Sequence, residues 1–242
     1  MPGSGLPDGD RTRPGVCASV AAGAVYCVST SARVVASTVF RAVYAEGSSA
    51  AGPVLTRHGT YEFVPCVSDT PDDLHKGIRD RMALLETQVA SSDGADLVIF
   101  DGPLRGRTDR NGVGFVKTQQ LQYLPDREQR ILATLRPGQR TPLFLIGSSG
   151  FTRWSWYLRL PGPIVHPMSG VARCELAGLG SLEDASRRAD LVTSTLPRYA
   201  SEPHKDARAP QNLYPIAGLE NELRRRLGDR DVMERALRIA AQ

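Results

Sequence analysis

Lysine is almost missing from this chain. Lys76, Lys117 and Lys205 stand alone among 242 residues, so arginine carries nearly all the positive charge. Aromatic residues are also scarce at 6%, which leaves the core to aliphatic side chains. The four cysteines, Cys17, Cys27, Cys66 and Cys174, form no C-x-x-C pair and match no zinc spacing. They read as reduced, mostly buried thiols of a cytoplasmic protein. No stretch approaches the roughly 20 apolar residues of a membrane span, so no membrane role is expected. There is no G-x-x-x-x-G-K-[ST] loop, no G-x-G-x-x-G after a strand and no H-E-x-x-H. P-loop hydrolysis, Rossmann dinucleotide binding and zincin chemistry are thereby excluded. Gly147-Ser148-Ser149-Gly150 is a turn and not a nucleophile elbow.

What remains is an ordinary folded composition, 41% apolar and 23% charged, on a chain long enough for one large domain. The net charge of +4 and the pI near 9.0 permit a polyanionic partner without demanding one. Residues 1–14 are turn-formers and charges and are expected to be a disordered N-terminus, with the domain over residues 15–242.

Strand-like segments at about 20–29, 33–45 and 61–66 suggest an antiparallel meander. A helix over 70–90 follows, opened by Thr70-Pro71-Asp72-Asp73 and carrying the stripe Leu74, Ile78, Met82, Leu85, Val89. Leu97 to Phe100 is a solid apolar run and reads as a buried central strand. Further strands are expected at 112–117, 142–146, 153–160 and 171–176, and helices at 126–136, 182–195 and 217–240, the last broken at Gly228-Asp229. The order gives an α/β fold with a mixed sheet flanked by helices. Within 153–160, Trp154, Trp156, Leu158 and Leu160 alternate with Arg153, Ser155, Tyr157 and Arg159.

The sharpest chemical feature is Asp101 in Phe100-Asp101-Gly102-Pro103. A carboxylate at the carboxyl end of a buried strand lies where open α/β sheets place ligands, and hard cations want such oxygens. A turn-forming role is the plainer reading. Glu86 borders the buried face of the 70–90 helix. It reads either as a second carboxylate or as a border residue paired with an arginine. The polar run from Leu196 to Leu213 holds Tyr199, His204, Lys205 and Arg208. His204 suits a ligand or proton shuttle, Lys205 and Arg208 suit phosphate, and Tyr199 suits orientation of a water or phosphate.

DLVIFDGPL, GFVKTQQLQYLP, RWSWYLRL, SGVARCEL and PHKDARAPQNLYPI follow one another in this order. The ordered set resembles the bacterial members of the NurA nuclease family over most of the chain. The resemblance implies an RNase H-like fold and a manganese-dependent DNA nuclease, with magnesium as the alternative ion. It also implies DNA end processing in repair, a homodimer, and a HerA-type hexameric ATPase as partner. By position, Asp101, Glu86, Tyr199 and His204 resemble the family's catalytic residues, with Asp101, Glu86 and His204 as metal ligands. Lys117, Arg153, Tyr157, Arg159, Lys205 and Arg208 are the nucleic-acid-binding candidates.

One departure bears on chemistry. The family's domain opens with a strand carrying another metal-binding aspartate. No apolar strand precedes Asp8-Gly9-Asp10, so that strand is expected to be missing, either because the chain starts downstream of it or because the protein lacks it. The rival to a nuclease is therefore a catalytically silent DNA-binding or scaffolding protein. A small-molecule hydrolase rests only on the generic α/β layout.

Overall fold

The computed structural model describes residues 17–30, 34–49, 52–68, 71–90, 97–104, 106–108, 111–118, 122–148, 150–178, 180–202 and 209–240. Three long strands come first, β1 (Cys17–Thr30), β2 (Val34–Ser49) and β3 (Gly52–Ser68), paired as an antiparallel meander. β3 starts well before the expected segment. Its first half, through Arg57, His58 and Gly59, lacks the apolar alternation that marks a strand in sequence.

Helix α1 (Pro71–Ala90) leads to β4 (Leu97–Asp101), and β5 (Gly112–Val116) follows. The remaining elements are α2 (Asp126–Thr134), β6 (Phe144–Ser148), β7 (Phe151–Arg159), β8 (Val171–Ala177), α3 (Leu182–Thr195), α4 (Tyr214–Leu227) and α5 (Arg230–Ala240). Gly228, at φ 77°, takes the left-handed backbone that separates the last two helices.

Among the described residues all the strands join one eight-stranded sheet in the order β3-β2-β1-β4-β5-β8-β7-β6. β1, β4 and β5 are parallel neighbours, and the other pairs are antiparallel. A meander whose first strand lies parallel to β4, with a helix in the crossover, is the RNase H-like arrangement. The place beside β4 is thus filled by β1, through Cys17↔Leu97 to Val20↔Phe100. β1 contains no aspartate or glutamate anywhere along CASVAAGAVYCVST. Asp8 and Asp10 lie outside the described residues.

The two faces of the sheet are buried differently. One packs Ile99, Phe115, Trp156, Leu158, Cys174 and Leu176 against Ala189 and Val192 of α3 and Ile216 of α4. On α1, Leu74, Ile78, Leu85 and Val89 are buried as the stripe requires, with Met82 at its border. On the other face, Tyr157 and Val171 pack with Leu132 and Leu135 from and beside α2.

That second cluster corrects the reading of β7. Tyr157 and Arg159 were expected on an open face tracking nucleic acid, but they are 2% and 0% exposed. Tyr157 stacks on Phe144 with ring centroids 5.7 Å apart. Arg159 donates to the carbonyls of Ser169 (2.6 Å), Leu132 (2.8 Å) and Pro167 (2.5 Å). It ties the 161–170 loop to α2, and its burial lowers its pKa. The alternation was real, yet α2 covers the polar face as well.

Candidate functional site

Asp101 and Lys117 meet because their strands run parallel. Asp101 stands opposite Phe115 in the β4–β5 register, and Lys117 is two residues further on, hence on the same face of the sheet. The Lys117 Nζ lies 2.8 Å from Asp101 Oδ1 and 2.8 Å from Glu220 Oε1 of α4. Glu220 comes within reach because Ile216, Leu219 and Leu223 seat α4 in the core and leave the neighbouring helix position at the strand ends. Burial pushes the Asp101 carboxyl above the ordinary aspartate range. Lys117 pulls it back, and Glu220 adds to the rise.

The chain leaves Asp101 through Gly102, whose φ of 106° is left-handed backbone. It then crosses β5 at Gly114. A Cβ there would stand 2.9 Å from the Gly102 carbonyl oxygen and 2.9 Å from the Leu104 nitrogen. Arg107 fastens this turn to α1. Its guanidinium binds the Glu86 carboxylate, Thr87 Oγ1 and the Ala83 carbonyl on the helix, and the carbonyls of Pro103 and Leu104 on the turn. It also covers the Phe100 ring at 4.5 Å. Glu86, 6% exposed, is therefore a border residue paired with arginine. It nonetheless shares with Asp101 a cavity of about 200 Å³, so the two carboxylates face one space, with Arg107 and Arg79 on its walls.

Asp101 also opens onto a second, larger cleft of about 600 Å³, walled by Arg79, Lys117, Tyr123, Arg153 and Arg173. Lys117 and Arg153, two of the nucleic-acid-binding candidates, both line this cleft. Arg173 and Arg79 join them unannounced. Under this wall lies Glu175, wholly buried. Its Oε1 accepts from Arg173 Nη2 at 2.8 Å and lies 3.3 Å from Arg153 Nε, while Oε2 accepts from the Leu104 amide at 3.0 Å.

Tyr199 ends a 3-10 turn, Leu196–Tyr199, and packs against the core cluster. It lines neither cavity. His204, Lys205 and Arg208 lie outside the described residues. Glu220 and Glu175 escaped the sequence reading. The signal for Glu220 was its place four residues after Ile216 on an amphipathic helix. For Glu175 it was a charged i, i+2 pair, Arg173 and Glu175, inside a buried strand.

The donor chemistry can be tested against a hard cation. Asp101, Glu86 and Glu220 are the carboxylates around the end of β4, with Lys117 paired to Asp101 and Glu220 and Arg107 paired to Glu86. Two carboxylate oxygens already converge on one positive centre, the Lys117 ammonium. Asp101 and Glu220 would be the first ligands of a divalent cation taking the place of that ammonium, with Glu86 across the smaller cavity. Among the described residues no three His, Cys, Asp or Glu side chains form a ready-made cage.

The NurA domain family matches residues 32–225. The chain belongs to the NurA domain family. With that, the nuclease family that the ordered motifs resemble is the family of this chain, and Asp101, Lys117 and Glu175 all fall within the matched NurA region. No curated protein matches the sequence. Among solved structures the chain is similar to endonuclease V of Ciona intestinalis in complex with a 24mer DNA containing an inosine followed by a ribo-adenosine. Identity there is 12%, covering 91% of this chain and 89% of that one, with a TM-score of 0.42. It is similar also to the catalytic domain of human endonuclease V, at 15% identity over 88% and 84% of the two chains and a TM-score of 0.38. No helix among the described residues is long and apolar enough to cross a membrane.

Proposed function

We propose that this NurA-domain chain hydrolyses phosphodiester bonds in DNA, with Asp101 as the central carboxylate and the basic cleft beside it as the backbone track. The observation that carries this reading is the placement of Asp101. It ends a central parallel strand, faces Glu86 in one cavity, and faces Lys117 and the arginine wall in the other. Asp101 and Glu220, with Glu86 across the smaller cavity, would hold a divalent cation, manganese by family resemblance and magnesium as the alternative. When bound there, such a cation supplies an activated water and neutralises charge on the leaving oxygen. Lys117 holds a proton close to Asp101 and offers a positive charge to a phosphate once Asp101 is engaged elsewhere. Arg153 and Arg173 hold the backbone, and Arg107 keeps the turn after Asp101 in position. His204 remains the proposed further ligand, with Lys205 and Arg208 as proposed phosphate contacts. A role in DNA end processing and repair, in the cytoplasm, as a homodimer and with a HerA-type ATPase belongs to the same proposal, on family grounds.

A second reading, a catalytically silent DNA-binding protein, is favoured by a specific observation. β1 brings no carboxylate beside Asp101, and each acid at the site already has a cation from the chain itself. Digestion of single-stranded DNA with and without manganese, by the wild type and by Asp101→Asn, separates the two. Manganese-dependent cutting that vanishes in Asp101→Asn supports the nuclease. Equal cutting by both proteins overturns the assignment of Asp101, and binding without any cutting selects the silent reading.

A further inference from the structure

The wall of the larger cleft is built differently from a loose basic patch. Arg153 of β7 and Arg173 of β8 both reach one carboxylate oxygen, Oε1 of Glu175. Arg173 is 4% exposed and Glu175 fully buried. A buried carboxylate is costly unless paired, and here two guanidiniums serve one acid, leaving one positive charge in excess. Both arginines line the cleft. Each is also held from a further direction. The Arg173 guanidinium lies over the Tyr123 ring at 4.3 Å, and Arg153 Nη2 is 3.5 Å from the Tyr123 hydroxyl. The second oxygen of Glu175 accepts from the Leu104 amide on the turn that leaves Asp101.

We propose that Arg153 and Arg173 form a phosphate-binding fork, set by Glu175 and Tyr123, that takes a backbone phosphate of a nucleic-acid strand lying across Asp101. This deepens the proposed function and rests on it. The planar donors of a guanidinium match phosphate oxygens two at a time. Held beforehand by Glu175 and Tyr123, the two side chains lose little freedom on binding. The excess charge calls for an anion. Arg79 and Lys117 elsewhere on the cleft extend the positive track beyond one phosphate. An oligomeric phosphodiester therefore fits better than free phosphate.

The experiment is equilibrium binding of a fluorescent oligothymidylate to the full chain over a range of salt, without divalent metal, so that cutting does not enter. Arg153→Gln and Arg173→Gln should each weaken binding about tenfold and lower the slope of log affinity against log salt by about one. Glu175→Gln separates positioning from charge. Removing a negative charge should tighten binding if only the local field matters, whereas loss of the fork's geometry should weaken it. Weaker binding is expected. Arg173→Lys keeps charge and fold but loses the planar donors, and it should bind more weakly than wild type if Glu175→Gln fails to fold. Binding unchanged within about twofold in the folded Arg153→Gln and Arg173→Gln proteins overturns the fork. Tight binding of inorganic phosphate that excludes the oligonucleotide overturns the nucleic-acid assignment in favour of a free-phosphate site. Fork-dependent binding with no cutting in manganese keeps the fork and removes the nuclease. Cutting with fork-independent binding does the reverse.

Discussion

The Glu86 carboxylate is bound by the Arg107 guanidinium, so the residue that looks like a second catalytic acid also anchors the turn that follows Asp101. One side chain thus has a structural role beside its proposed chemical one, and the two can be separated. Arg107→Ala should cost about 3–5 kcal/mol, because it takes the guanidinium away from the buried Glu86 carboxylate. The double variant Glu86→Gln with Arg107→Met should recover much of that stability in urea unfolding. Its cutting should stay lost. Recovery of cutting along with stability would reduce Glu86 to a structural residue.

Asp101→Asn should lower manganese-dependent cutting on the order of 100-fold while leaving oligonucleotide binding intact. Its effect on stability has the opposite sign from that of an ordinary salt-bridged acid. Burial raises the Asp101 pKa from 3.8. The group therefore favours the fold most below that value, and the contribution is lost as pH rises through the raised folded pKa. Melting curves should show Asp101→Asn at least as stable as wild type at pH 7, with the difference narrowing toward pH 4. A variant that melts lower at pH 7 would mean that the Lys117 pairing outweighs burial.

Arg159→Met should lower stability by about 2–4 kcal/mol, since it leaves buried carbonyls without a donor. Oligonucleotide affinity and its salt slope should not change, because Arg159 is enclosed beneath α2. A drop in the salt slope would return Arg159 to the nucleic-acid surface.

Gly114→Ala should displace the Gly102–Leu104 turn. The added methyl meets two backbone atoms of that turn, the Gly102 oxygen and the Leu104 nitrogen, and backbone cannot rotate away as a side chain can. A cost of about 1–3 kcal/mol is expected from such overpacking, together with reduced cutting. An unchanged melting temperature would show that the turn sits further from β5 than the geometry indicates.

Much of this was legible in the sequence. The α1 stripe follows from one dominant period and Leu97 to Phe100 from an unbroken apolar run, and together they place Asp101 at a central strand end. Alternation in β7 found the Trp156 and Leu158 face. It could not show that α2 would cover Tyr157 and Arg159 too, because burial of a polar face depends on what packs there and not on the strand's own pattern. The place of β1 beside β4 depends on pairing between segments roughly 80 residues apart, which no local motif encodes. Glu220 and Glu175 were missed for a related reason. Each is an ordinary charged residue until the sheet sets its partners around it.

The backbone from Asp101 to Leu104 has a mechanical consequence. At one end it presents the central acid, and at the other its amide caps the carboxylate that aims the two arginines. Four residues thereby act as a gauge block between the proposed point of bond cleavage and the proposed point of grip. An inserted residue in this stretch would leave both stations standing but out of step, so that a strand could be held and still not be cut.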